Sequence, residues 1–259
     1  MNRQTLFSAL ALLLVAIPAA QAADTRLEFP VFGAVEVSKP NARADSIALL
    51  LAADPQSREV TGIRIALTDM GALVVTIDGA SYLAALAQAN GRCRYPAADF
   101  ENLSHAVQKR LKVPQYLRPV LMGVDAGASL AYAILAQAPR GTFSAALTLG
   151  MHAELAAPGL NLCQSNALRT RTTTAGALAI ERVGGNGDPW VDLSDNRRQL
   201  AALRAAYRTL VDRTEPDRQT PPNLADLPLV EVPTADRTSP LLALLVTGDG
   251  GWAGLDRDV

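Results

Sequence analysis

The sequence predicts an α/β fold: a mostly parallel sheet with helices on both faces, followed by a proline-rich linker and the first strand of a second, similar domain. Three observations lead there. Short aliphatic runs alternate with stretches of helical periodicity, the pattern of βαβ units. Those runs are near-continuous rather than alternating, as strands buried on both faces require. One of them enters a glycine-flanked pentad, Gly123-Val124-Asp125-Ala126-Gly127, at the mouth of an alanine-rich helix.

Residues 1–22 read as a secretory signal. An uncharged apolar run, Leu6 to Ile17, precedes the small-x-small pattern Ala20-Gln21-Ala22, which places cleavage after Ala22. The run is too short to span a bilayer comfortably. No other segment is long and apolar enough, so the mature chain is expected to lack a transmembrane span and to work outside the cytoplasm. Nearly half of the residues, 49%, are apolar, enough for a sizeable core. The formal net charge is −1, with arginines scattered among acids, which leaves no electrostatic footprint for nucleic acid.

Two cysteines, Cys93 and Cys163, are expected to pair as a disulfide in an oxidising compartment, provided that their Cα atoms come within about 7 Å. The two histidines, His105 and His152, lie near neither cysteine in sequence, so no metal site and no cofactor are expected.

Along residues 23–212, Ile47 to Ala53 and Ala72 to Ile77 predict buried strands. Phe100, Leu103, Val107 and Leu111 recur at helical spacing, predicting a helix over 99–111 with His105 turned to solvent. Leu117 to Met122 predicts a strand and 126–137 a helix, stopped by Pro139 and Gly141. Phe143 to Leu149 predicts the next strand, ending at Gly150-Met151-His152. Ser194 is the expected N-cap of a helix through Val211, with Leu200, Leu203, Tyr207 and Leu210 on one face. From 213 to 240 six prolines interrupt any regular element, so this reads as a linker. Residues 241–259 begin with an aliphatic strand, Leu241 to Thr247, and the loop Gly248-Asp249-Gly250-Gly251-Trp252. Ala48 to Asp54 and Ala243 to Asp249 both carry an aliphatic strand into a loop aspartate, which suggests two similar domains.

The pentad carries the chemistry. A strand–G-x-S-x-G–helix turn presents a nucleophile at the top of an α/β-hydrolase sheet, and here Asp125 occupies the serine position. Gly123 and Gly127 keep the sharp turn free of side chains, and the Ala126 amide is placed as an oxyanion donor. The expected fold is therefore α/β-hydrolase-like. A serine mechanism would need a histidine late in the chain, and none follows His152. Two readings of the site stay open. Asp125 acts as a carboxylate nucleophile with His152, which follows the next strand on the same rim; or Asp125 is a relic of the turn and His152 a loop residue. Ser129, inside the helix, reads as packing or a surface hydroxyl. Gly248 to Trp252 resembles a glycine-rich oxyanion loop after an early strand.

The stretch from Gln115 to Pro139, the segment Gly141 to Gly150, and the terminal Leu-Val-Thr-Gly-Asp-Gly-Gly-Trp-Ala-Gly-Leu-Asp256 together resemble the bacterial virulence protein family VirJ/AcvB. The last of these is similar to the opening of that family's catalytic VirJ-type domain. The resemblance implies a periplasmic protein with hydrolase architecture, connected in AcvB-like members with hydrolysis of lysyl-phosphatidylglycerol, membrane-lipid homeostasis and virulence. It also implies that the serine elbow belongs to the second domain, of which 241–259 carry only the start. Three functions follow as alternatives: a noncatalytic domain that binds an aminoacylated phospholipid headgroup or serves a catalytic partner; an ester hydrolase using Asp125 with His152; and an interaction module for periplasmic envelope or secretion proteins.

Overall fold

The computed structural model describes residues 24–88, 93–182, 186–194 and 200–213. The expected signal segment, all but the first residue of the linker, the strand at 241–247 and the loop Gly248 to Trp252 lie outside the described residues.

The chain enters through an antiparallel hairpin, β1 (Thr25–Phe29) and β2 (Gly33–Ser38). There follow β3 (Ser46–Ala52), α1 (Arg58–Asp69), β4 (Ala72–Asp78), α2 (Gly79–Gln88), α3 (Pro96–Arg110), β5 (Val120–Val124), α4 (Ala126–Gln137) and β6 (Ala145–Leu149). An insertion carries β7 (Glu154–Leu155), β8 (Leu168–Thr172) and β9 (Leu178–Arg182), before β10 (Trp190–Asp192) and α5 (Leu200–Arg213). The main sheet runs β1-β2-β4-β3-β5-β6-β10. β2 is antiparallel to both of its neighbours, and β4-β3-β5-β6-β10 are parallel. Because β4 and β5 flank β3 on opposite sides, strand order reverses there. The carboxyl ends at such a switch point are where open α/β sheets bind ligands, and the pentad lies directly after β5.

Period-two alternation sorts each buried strand onto two cores. Ile47, Leu49 and Leu51 of β3, with Leu73, Val75 and Ile77 of β4, pack under α2, α3 and α4. Ala48, Leu50 and Ala52, with Ala72 and Val74, face α1 and α5, where Val60, Ile63, Leu203, Tyr207 and Leu210 close the second layer. This two-sided burial is why the strands read as continuous aliphatic runs.

Helix α4 keeps the predicted bounds and is buried from Gly127 to Gln137, so nearly every side is apolar. The expected strand at 117–122 forms instead at Val120–Val124, since Pro119 has no amide to give the ladder and its carbonyl accepts from Ser144 at 2.9 Å. Strand β6 likewise starts two residues later than predicted. Helix α3 starts earlier, at Pro96, where a proline costs nothing because a first-turn amide has no intrahelical acceptor. His105 is exposed as expected, though its ring stacks on Tyr116 at 4.1 Å.

Strands β7, β9 and β8 form a separate antiparallel sheet. Its Leu155, Leu168, Leu178 and Ile180 extend the α4-side core. Cys93 and Cys163 form a disulfide with Cα atoms 4.7 Å apart, and so tie the approach to α3 to this insertion. Beside it the buried Gln137 amide donates to the carbonyls of Arg94 (3.0 Å) and Cys163 (2.9 Å). The side chain thus joins the end of α4 to both strands of the disulfide.

Candidate functional site

The turn after β5 has the backbone of a nucleophile elbow. Asp125 sits at φ 53°, ψ −118°, a region that side chains with a Cβ occupy only at a cost of about 1–3 kcal/mol. Its amide donates to the Leu149 carbonyl at 2.8 Å, and its carbonyl accepts from Ala128 at 2.9 Å, opening α4. The glycine requirement is steric at both ends. A Cβ on Gly123 would lie 2.2 Å from the Gly127 carbonyl oxygen; one on Gly127 would lie 2.2 Å from that of Leu51. Helix and strand can approach this closely only without side chains. Ala126 is half-buried at the start of α4, in the first turn, whose amides lack intrahelical acceptors.

His152 is exposed, three residues past the end of β6, and therefore on the same carboxyl rim as Asp125. Ser129, fully buried in α4, holds its backbone from both sides. The Ser129 hydroxyl donates to the His152 carbonyl at 2.7 Å and accepts from its amide at 3.0 Å. Of the two roles expected for Ser129, the structure assigns packing: the hydroxyl is neither on the surface nor placed at the turn.

A second anchor went unrecognised in the sequence. Asp192, at the end of β10, accepts hydrogen bonds from the hydroxyls of Thr148 (3.0 Å) and Ser194 (2.6 Å). Ser194 in turn accepts from the Met151 amide at 3.0 Å. The loop 150–152 is thus pinned from α4 and from the β10 side. Ser194, predicted as a helix cap, has its hydroxyl committed to this network; residues 195–199 lie outside the described residues and α5 is described from Leu200. Asp192 also follows the elbow in chain order, where hydrolases place the acid. Its Ser194 amide contact, an Asx turn at 3.2 Å, is the signal that could have marked it.

Going across the rim in sheet order, Asp78 ends β4, Asp54 lies in the loop after β3, Asp125 follows β5, His152 follows β6 and Asp192 ends β10. Among the described residues no group of three or more His, Cys, Asp or Glu side chains could hold a metal ion. Two clefts, of about 200 and 190 Å³, lie away from this rim. One is lined by Lys39, Arg43, Leu73 and Lys112, the other by Asp24, Ser38 and Arg64. Neither includes Asp125 or His152.

Strand order and elbow geometry define an α/β-hydrolase-like domain with a carboxylate at the nucleophile position. No family model and no curated protein matches the sequence. Among solved structures, the chain is similar to a thermostable carboxyl esterase from Bacillus coagulans (18% identity, 50% of this chain and 44% of that one, TM-score 0.38). It is also similar to an α/β serine hydrolase without lid from Xanthomonas campestris (15%, 75% and 95%, TM-score 0.40), and to a dienelactone hydrolase from Anabaena variabilis (15%, 49% and 63%, TM-score 0.37). The chain spans less than half the length of the Bacillus esterase. At these values the fold assignment stands on the strand order and the elbow themselves.

Proposed function

We propose that this chain is a periplasmic, noncatalytic hydrolase-like domain of VirJ/AcvB type that presents its carboxyl rim to the headgroup of an aminoacylated phospholipid. The observation that carries the reading is the elbow: its glycines and strained backbone are kept while a carboxylate stands where a hydroxyl would attack. A carboxylate lacks the proton that a histidine base removes from serine; it can attack directly, but His152, the histidine on the described rim, is held through its backbone with its side chain exposed. Three further aspartates, Asp54, Asp78 and Asp192, lie on the same rim, so a cationic aminoacyl group such as lysyl fits its charge. Export is supported by the 1–22 signal pattern and by the Cys93–Cys163 disulfide, since such bonds persist in oxidising compartments. Among the described residues, no helix is long and apolar enough to cross a membrane.

The test is cosedimentation of the purified chain with vesicles of phosphatidylglycerol, with and without lysyl-phosphatidylglycerol. Retention selective for the lysylated lipid, weakened by Asp125→Asn and screened by salt, is the expected outcome. Equal retention on both vesicles, or none, overturns the headgroup reading and leaves an interaction module for envelope or secretion proteins.

A further inference from the structure

We propose that the free edge of β1 pairs with β1 of a second copy of this chain, about a two-fold axis through Leu27, joining two sheets into one. Among the described residues, β1 is the terminal strand of the main sheet, bonded on one side only, to β2. Such an edge offers a row of backbone donors and acceptors to another strand.

The orientation of those groups sets which residues can pair. Arg110 donates to the Glu28 carbonyl at 3.4 Å from outside the β1–β2 ladder, so this carbonyl points away from β2. In antiparallel pairs, residues facing the partner alternate with residues facing outward. Arg26 therefore faces outward with Glu28, whereas Thr25, Leu27 and Phe29 face β2. The Glu28 carbonyl has a second lone pair for an incoming amide.

Three registers bring outward-facing residues opposite each other across a two-fold axis. One sets Arg26 against its own copy and another sets Glu28 against its own copy, both like-charge pairs. The third sets Arg26 against Glu28 of the second copy twice over, with Leu27 against Leu27 at the axis. Opposite charges facing across strands stabilise and like charges destabilise, so charge selects the third register. In it each Arg26–Glu28 pair exchanges two backbone hydrogen bonds. Both side chains stand on the solvent face, 79% and 72% exposed and only 3.8 Å apart within one strand, so they can turn to the partner. On the other face Leu27 and Phe29 already pack on the core and extend it across the axis. A short, charged strand excludes most partners; the order Arg26-Leu27-Glu28 admits its own copy in one register.

Sedimentation equilibrium of the purified chain, with amide exchange at low and high concentration, tests this. The expected result is a reversible dimer in which the amides of Arg26 and Glu28, but not Leu27, gain protection with concentration. Arg26→Glu and Glu28→Arg each disrupt two pairs and should raise the dissociation constant about tenfold or more. The double variant restores opposite charges and should return it close to the parent value. Arg26 also lies opposite Glu36 on β2 while Glu28 lies opposite Ala34, so Glu28→Arg carries the test if Arg26→Glu perturbs the hairpin. A monomer at all concentrations up to about 1 mM, or a dimer indifferent to both reversals, overturns the proposal.

Discussion

The buried Ser129 hydroxyl holds His152 by both sides of its backbone, accepting from the amide and donating to the carbonyl. Helix α4 thus fixes where the chain after β6 crosses the rim, and leaves the imidazole in solvent. The only histidine on the described rim is positioned through its backbone.

Replacing Ser129 by alanine removes both bonds and leaves a backbone amide and a carbonyl to find water. The expected loss is about 1–2 kcal/mol of unfolding free energy, measured by denaturant titration. Faster amide exchange should be confined to the 150–153 loop; a uniform increase across α4 would point to lost packing instead.

Asp125 permits a test of backbone strain separate from catalysis. At an ordinary helix N-cap, glycine already surpasses alanine. At φ 53°, ψ −118° backbone strain widens that gap, so Asp125→Gly should be more stable than Asp125→Ala by about 2 kcal/mol. Both variants remove the carboxylate, so the difference in thermal midpoint reads chiefly the backbone of the turn.

The Cys93–Cys163 bond spans a sequence separation of 70 residues. By loop-closure entropy its removal should cost about 4 kcal/mol. Cys93→Ser with Cys163→Ser, compared with the oxidised parent in a denaturant titration, measures this. Reductant should shift the parent toward the variant and leave the variant unchanged.

Asp24 supplies a pH dependence. Burial pushes its carboxyl upward, but the Ser38 hydroxyl bond and the Arg64 guanidinium outweigh that and hold it below its ordinary 3.8. The contribution is therefore present above the unfolded value and lost as pH falls through the lowered folded value. Asp24→Asn should cost about 0.5–1 kcal/mol at pH 7, since the pair is part-exposed and screened. That difference should shrink below about pH 4, read from stability curves of parent and variant.

The central layers were legible in the sequence because burial on both faces leaves unbroken aliphatic runs, as in β3 and β4. The elbow was legible from glycine spacing, whose cause is the carbonyl oxygen of Leu51 against Gly127. The β1–β2 hairpin escaped because β1 alternates half-buried with exposed residues over only five positions. Strand β8, Leu168-Arg169-Thr170-Arg171-Thr172, is mostly exposed and reads as a charged loop. Ser129 and Gln137 were the hidden signal in α4: polar side chains on a helix with no solvent face must bond to something. They bond to the loop of His152 and to the disulfide, partners too distant in sequence to predict.

On the function proposed above, Asp125 shapes a turn and a charged rim without attacking an ester. Lysine released from lysyl-phosphatidylglycerol by the purified, folded chain measures it directly, with Asp125→Ala and His152→Ala alongside. No release above the rate without protein is expected for any of the three. Release by the parent that disappears in Asp125→Ala would contradict it and make this domain a hydrolase in its own right.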